Sequence, residues 1–445
     1  MRDEKDTRTI VERVLSLSKA DQTEVLFSSE DSQLTRFANS YIHQNVSESK
    51  AELRVRVVLG KRIGVASTND LSDGGLQRVV ETAQTVARLQ PETPDFASLP
   101  EPTPISDTSS FSEATASFTP EARARAVGVI CQQAKDARLI ASGAYTTAQR
   151  AVAVGNSRGV WAYYPTTLAD LNTVIMAEDS SGYASRTAWD VQQVNAEEAG
   201  REAVDRALRS RHPSTIEPGA YTVILEAYAV ADIVRYMSYL GFGALAVQEG
   251  RSFMCGHMGE MIFDPRISIV DDGLDPEGLP MPFDFEGVPK QRVEIIKGGV
   301  ANALVYDSYT AQKEGKRSTG HSLPQPNTSG PVAGNLFMSA GESSVADMLA
   351  STERGLWVTR FHYVNPLHPL RATLTGMTRD GTFLIEHGQI TRPVCNLRFT
   401  QSMVEALRNV EMIGRERFTE QAFYGAIRVP ALKVHDFHFT GVTEF

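Results

Sequence analysis

Three cysteines in 445 residues, Cys131, Cys255 and Cys395, are too few and too scattered for a disulfide framework, and such usage points to a reducing compartment. Long hydrophobic runs are missing too: nothing reaches the run of about 18 apolar residues that a membrane-spanning helix needs. The chain starts Met1-Arg2-Asp3-Glu4-Lys5-Asp6 with no apolar segment behind it, so a cytoplasmic location without a signal peptide is expected. Positive charge is scarce. Lys and Arg number 44 against 54 Asp and Glu, a net charge of −10. Without surplus cations to displace phosphate counterions, the chain is not expected to bind nucleic acid.

What is present is ordinary globular material, 42% hydrophobic and 22% charged. At roughly 100–200 residues per domain, the length allows two or three domains. Apolar periodicity predicts a first helix over Thr9–Leu17, then strands at Thr23–Phe27, Ile42–Ser49 and Glu52–Val58. In the last of these Leu53, Val55 and Val57 share one face and Arg54 and Arg56 the other. Gly60-Lys61 suits a tight hairpin. Ser72 or Asp73 is placed to cap a helix carrying Leu76, Val79, Val80 and Ala83. Pro91 to Pro104 is too rich in proline for a regular element and reads as an extended arm. Thr119-Pro120 opens a helix with Ala122, Ala126, Val129 and Ile130 inward. Strands are expected at Ile140–Val154, Val160–Tyr164 and Leu171–Ala177, and a helix at Asn195–Leu208.

The polar stretch Arg209–Ser214 marks a boundary between residues 1–212 and 213–445. Beyond it come a strand at Tyr221–Leu225, helices around Tyr228–Tyr239, short β pieces after Met261, and one further helix at Ser402–Val410. The predicted class is α+β in both halves, with mixed sheets and helices in the first and a β-rich second half.

Isolated motifs carry little. Gly155-Asn156-Ser157-Arg158-Gly159 has the G-x-S-x-G form of a hydrolase elbow, but a strand, not a helix, follows, which makes it a hairpin turn. Cys255, His257 and Glu260 gather three metal-ligand types in six residues, yet Gly256 and Gly259 undercut a helix. His435 and His438 sit in an alternating strand pattern. Asp271, Asp272, Asp275 and Glu277 miss calcium-loop spacing and read as a turn-rich surface segment.

Taken together, several blocks resemble the TldD/PmbA family, long labelled modulators of DNA gyrase. They are Gly64–Asp70, Asn156–Gly159, Ile267–Gly273, Phe285–Pro289, Gly298–Val300, Gly388–Val394 and Asn396–Phe399. The similarity covers nearly the whole chain and implies a two-domain α+β protein of a family that cleaves small or unfolded peptides. TldD-type members carry H-E-x-x-x-H on a helix of the second domain and a cysteine near the C-terminus. These supply two imidazoles and a thiolate for zinc and a Glu to activate water. The corresponding stretches here, Tyr239–Gly250 and Phe423–Pro430, contain neither histidine nor cysteine. No catalytic, cofactor-binding or metal-ligating residue is therefore carried over. What remains resembles the TldE (PmbA) branch, which implies a companion subunit, with zinc expected in a TldD-type partner and a peptide as substrate. The rivals are a self-sufficient homodimeric peptidase and a non-catalytic peptide-binding protein. Within the polar stretch Lys313–His321, Arg317 and His321 are the candidates for contacting a peptide backbone or terminus.

Overall fold

A computed structural model describes residues 3–443. Six antiparallel strands form the first sheet: β1 (Gln22–Ala38), β2 (Tyr41–Leu59), β3 (Arg62–Thr68), β4 (Ile140–Asn156), β5 (Trp161–Met176) and β6 (Ser181–Ala188), in the order β3-β2-β1-β4-β5-β6. Helices α1 (Glu4–Leu17), α2 (Asp73–Leu89), α4 (Pro120–Asp136) and α5 (Ala196–Arg209), with the single turn α3 (Glu113–Ala116), complete this half. Side-chain caps start the long helices where the sequence places them: Ser72 accepts from Gly75 N–H, Thr119 from Ala122 N–H and Asn195 from Glu198 N–H.

Alternation along β1 and β4 explains how the sheet is covered. Val25, Phe27 and Ala153 point to α1 and α2, while Leu26 and Val154 point the other way and meet Phe283 of the second half. Both faces are thus buried near the start of β1, over Thr23–Phe27.

The second half begins with β7 (Gly219–Leu225) and α6 (Ala227–Met237). Its short strands are β8 (Ile269–Asp271), β9 (Val293–Lys297), β10 (Val300–Ala301) and β11 (Leu336–Met338). Then come β12 (Arg354–His368), β13 (Thr373–Glu386), β14 (Gln389–Pro393), β15 (Leu397–Ser402), β16 (Val410–Ala422) and β17 (Gly425–Val442). Together they make an eleven-stranded mixed sheet, and β17 also pairs with β7. The protein is a mixed α+β structure, as its sequence indicates. No helix among the described residues is long and apolar enough to cross a membrane.

Several expectations need correction. The pieces Ile42–Ser49 and Glu52–Val58 are one strand, β1 runs far beyond Phe27, and Val160–Tyr164 joins Leu171 onward through Pro165 in β5. The proline is tolerated because β6 pairs only with residues 169–176 of β5, leaving one flank of Pro165 outside the ladder. On α4, Arg123 and Val127 are buried and Val129 faces water. After Met261 the strands are long as well as short, and Ser308–Lys313 and Val345–Ala350 are additional helices. The arm after Pro91 is partly anchored, with Phe96 and Leu99 buried against Val58.

Two buried charge networks join the halves. On the sheet face turned toward the second half, Arg56 bonds Glu24 at 2.7 Å and reaches across to Glu286 at 3.0 Å. The arginine face of β2 therefore packs against protein instead of water. Gly287 lets this junction close: at φ +75, a Cβ there would stand 2.6 Å from Val160. In the other network Arg206 of α5 pairs with Glu202 and Glu226, and Glu226 also accepts from Trp357 Nε1 at 2.5 Å. Tyr228 donates to Glu202 at 3.0 Å.

Arg206→Ala leaves Glu226 buried without its cation and is expected to cost about 3–5 kcal/mol in urea unfolding, against at most about 1 kcal/mol for Arg201→Ala at an exposed pair. A second test is the pH profile. Burial lifts Glu24 from 4.5 to about 7 in spite of Arg56. The folded state then holds a proton that the unfolded chain releases, so this contribution is full below pH 4.5 and is lost as pH rises through 7. Glu24→Gln is expected to flatten that part of a stability-against-pH curve.

Candidate functional site

The segment Tyr239–Gly250 continues from α6, a helix buried on almost every side. It does not run on as one helix. A single π turn, Ser238–Phe242, is followed by Gly243 in extended conformation and by α7 (Ala244–Gln248). Close packing imposes the break, because a Cβ on Gly241 would stand 2.3 Å from the Phe253 ring and one on Gly243 2.1 Å from the Pro331 carbonyl. Ser252 Oγ donates to the Gly241 carbonyl at 2.9 Å, and Ser238 Oγ anchors the turn on Ala333 O at 2.8 Å.

The other segment, Phe423–Pro430, is the tip and return strand of the β16–β17 hairpin. Phe423 is 72% exposed, and Tyr424 packs edge-on against Phe285 at 5.9 Å. A cavity of about 370 Å³ lies between the start of the first segment and the second: Tyr239, with Ser238 just before it, on one side, Phe423, Tyr424 and Ile427 on the other, with Leu323 and Val332 between. A neighbouring cavity of about 520 Å³ shares Arg235 and Phe423 with it. There Arg235 pairs with Asp232 at 2.5 Å and Glu420 at 3.4 Å. Burial lifts Asp232 to about 6 and Glu420 to about 7, with Arg235 opposing the rise in both.

Zinc takes imidazole, thiolate or carboxylate ligands in a tight tetrahedron. The apolar cavity offers hydroxyls and the Arg235 guanidinium, a cation that opposes a second cation. These residues do not fit a zinc site. Among the described residues, no group of three or more His, Cys, Asp or Glu side chains is placed to share a metal. His257 pairs with Glu260 at 2.7 Å on the surface, while Cys255 bonds the Val247 carbonyl at 3.6 Å. Ser157, in the turn after β4, accepts from Thr23 N–H. His435 bonds Glu411 beside a strand ladder.

The candidates Arg317 and His321 are separated. Arg317 is exposed on a cavity of about 690 Å³ that also holds Arg292, Glu294 and Lys316. His321 is fully buried, which removes it from direct contact with a peptide in this structure. Its Nε2 lies 2.8 Å from Asp271 Oδ1 and its Nδ1 2.9 Å from Thr319 Oγ1. Asp271 is thus no surface residue, contrary to the turn-rich reading of its segment. Burial and the nearby Lys290 pull the His321 pKa down, so the imidazole is neutral and donates to the carboxylate. Burial opposes ionisation of Asp271 as well, but the hydrogen bond from His321, the charge of nearby Lys290 and the backbone N–H of Asn335 outweigh it and hold its pKa below the usual value.

Asp271 Oδ2 accepts from Gly334 N–H at 2.7 Å and Asn335 N–H at 3.0 Å, and Asn335 Oδ1 accepts from Ala426 N–H at 3.1 Å. A line of hydrogen bonds therefore runs from His321 to the hairpin that walls the apolar cavity. Sequence reasoning missed Asp271 and Asn335 in this role. The signal for Asp271 was the Ile267–Gly273 block, and nothing singled out Asn335.

The cavity is thus bordered by Tyr239 and the β16–β17 hairpin and furnished with apolar and hydroxyl groups. Family models described as PmbA/TldA metallopeptidase domain 1, central domain and C-terminal domain match residues 23–87, 112–211 and 218–441. The chain belongs to the PmbA/TldD metallopeptidase family. Metalloprotease PmbA of Escherichia coli is 26% identical over 406 residues, spanning 87% of this chain and 86% of that one. A metalloprotease TldD homolog of Haemophilus influenzae is 26% identical over 221 residues, 48% of this chain and 44% of its own. The crystal structure of TldE from Thermococcus kodakarensis superposes with a TM-score of 0.88 at 19% identity, covering 98% of this chain and 100% of that one, a likeness of fold.

His321→Ala strips Asp271 of its buried partner and opens a void, which is expected to destabilise the chain by about 2–5 kcal/mol. Arg317→Ala is expected to stay within about 0.5 kcal/mol. Because the folded state resists protonating His321 while the unfolded chain takes the proton up near 6.5, stability contributed here falls as pH drops below 6.5. Thermal melts of both variants across pH check the set.

Proposed function

We propose that this chain is the non-metal companion of a TldD-type peptidase subunit, helping to shape the cavity in which an unfolded peptide is cleaved. One observation carries this reading: the start of one segment that would hold the metal set and the tip of the other border one cavity, and that cavity is walled by Tyr239, Phe423 and Tyr424 and guarded by a cation. The wall can contact an extended peptide through aromatic faces and hydroxyls. It has no group positioned to activate water beside a metal. Arg317 is retained as a candidate peptide contact, and His321 acts through Asp271 by holding the Gly334–Asn335 loop, which is bonded to the hairpin at Ala426.

The test is hydrolysis of an unstructured peptide by this chain alone, by a TldD-type chain alone, and by the two mixed. The expected result is no turnover by this chain alone, turnover that depends on the mixture, and loss of that turnover on chelation. Robust turnover by this chain alone would overturn the reading in favour of a self-sufficient peptidase. Peptide binding with no turnover in any mixture would favour a binding protein. Arg317→Ala in the mixed system is expected to raise KM more than it lowers kcat.

A further inference from the structure

Strand β13 bulges where it meets the first half of the chain. Val358 of β12 faces Thr382 and Arg360 faces Arg379, so Asp380 and Gly381 together oppose Thr359. Both bulged residues take positive φ, +56 at Asp380 and +127 at Gly381. At a residue other than glycine that conformation is strained and needs support from its surroundings. Asp380 has such support: Ser181 Oγ of β6 donates to one carboxylate oxygen at 2.5 Å and Arg360 to the other at 2.5 Å. On its opposite edge β13 is open at this point. β15 pairs with it as far as Met377 and β14 from Phe383, and among the described residues no strand covers 378–382 there.

A cavity of about 520 Å³ opens at this gap, bordered by the bulge, the β5–β6 turn and the Val394–Asn396 link. Small-molecule sites commonly have volumes of about 300–1,000 Å³. Three of its polar groups have no partner among the described residues. Arg379, half-buried, makes no side-chain hydrogen bond or ion pair. Thr382 is 2% exposed, and its Oγ1 is buried without a hydrogen bond. An unsatisfied buried hydroxyl is costly, and such groups in folded chains ask for an explanation. Glu178, on the β5–β6 turn, is exposed and pairs with nothing, Arg379 included. The other ionisable groups nearby are engaged: Asp179 is held by His212, and Asp380 by Ser181 and Arg360.

The cavity therefore presents one uncommitted cation from the second half and one uncommitted carboxylate from the first. A simple anion would meet Glu178 and Asp179 as well as Arg379, and a simple cation would meet Arg379. A small molecule carrying both charges satisfies both walls. We propose that this cavity is a binding site for a free α-amino acid, its carboxylate on the Arg379 fork and the Thr382 hydroxyl, its ammonium on Glu178. The site bridges the two halves of the chain. It shares no residue with the apolar cavity and does not rest on the companion-subunit reading.

Isothermal titration calorimetry of the full chain with each of the twenty common α-amino acids tests the proposal. At least one is expected to bind with a Kd below about 1 mM. Arg379→Met is expected to weaken that binding about tenfold or more, and Glu178→Gln and Thr382→Val about threefold or more each. Valine matches threonine in shape, so Thr382→Val removes the unpartnered hydroxyl without opening a void. That variant is expected to melt no lower than the wild type while binding less well, a combination that mere unfolding would not produce. Acetate and methylammonium, each carrying one of the two charges, are expected to bind at least about tenfold more weakly than the amino acid. The proposal is overturned if none of the twenty binds, if Arg379→Met binds as the wild type does, or if acetate binds as tightly as the amino acid.

Discussion

The buried contact between Arg206 and Glu226 governs where α6 can begin. Glu226 is the residue at which α6 starts, so its carboxylate sits at the positive end of that helix while Arg206, Trp357 and Thr359 hold it from the side. A charge so enclosed is tolerable only while its partners stay in place. With the start of α6 fixed to α5 of the first half and to β12 of the second, its far end delivers the π turn and Tyr239 to the cavity. The Glu24–Arg56–Glu286 cluster sets the second point of contact, and Leu26, Val154 and Phe283 fill the apolar surface near it.

The cavity itself is held by ordinary packing and hydrogen bonds. Aromatic and aliphatic groups from the π turn, the β16–β17 hairpin and the loop around Val332 supply the wall. The line from His321 through Asp271 and Asn335 to Ala426 ties that loop to the hairpin from behind. A neutral imidazole donating to an ionised carboxylate that also accepts two backbone N–H groups satisfies Asp271 without a net charge pair in the core. The polar groups nearest the cavity, Arg235 with Asp232 and Glu420, compensate one another and leave the apolar wall to define its character.

Much of this architecture was legible in the residue pattern. Ser72, Thr119-Pro120 and Asn195 announced their helices through capping chemistry that acts locally, and the alternation of Leu53, Val55 and Val57 gave the buried face of β2. The failures share a cause. The expected strand stops at Phe27, yet Ser28–Ser32 continue it because β1 is paired on both sides there by β2 and β4. Arg56, on the face opposite Leu53, Val55 and Val57, and Arg123, which no pattern singled out, are buried because distant segments bring Glu24, Glu286, Gln33 and Thr147 to them. Gly241 and Gly243 break a helix for Phe253 and Pro331, which no local pattern reveals. The missing ligands in Tyr239–Gly250 and Phe423–Pro430 were legible from residue identity, whereas their convergence on one cavity required the fold. His321 was singled out for its chemistry, but its burial against Asp271 depends on a contact fifty residues away in sequence.

The central claim is that this chain builds the cavity of a metallopeptidase fold without the groups that hold its metal. Equilibrium dialysis of the isolated chain against zinc, followed by elemental analysis, tests that claim most directly. The account predicts no tightly held zinc, and no change in what is retained when Cys255 and His257 are replaced by alanine. About one zinc per chain, lost in the His257→Ala variant, would contradict it.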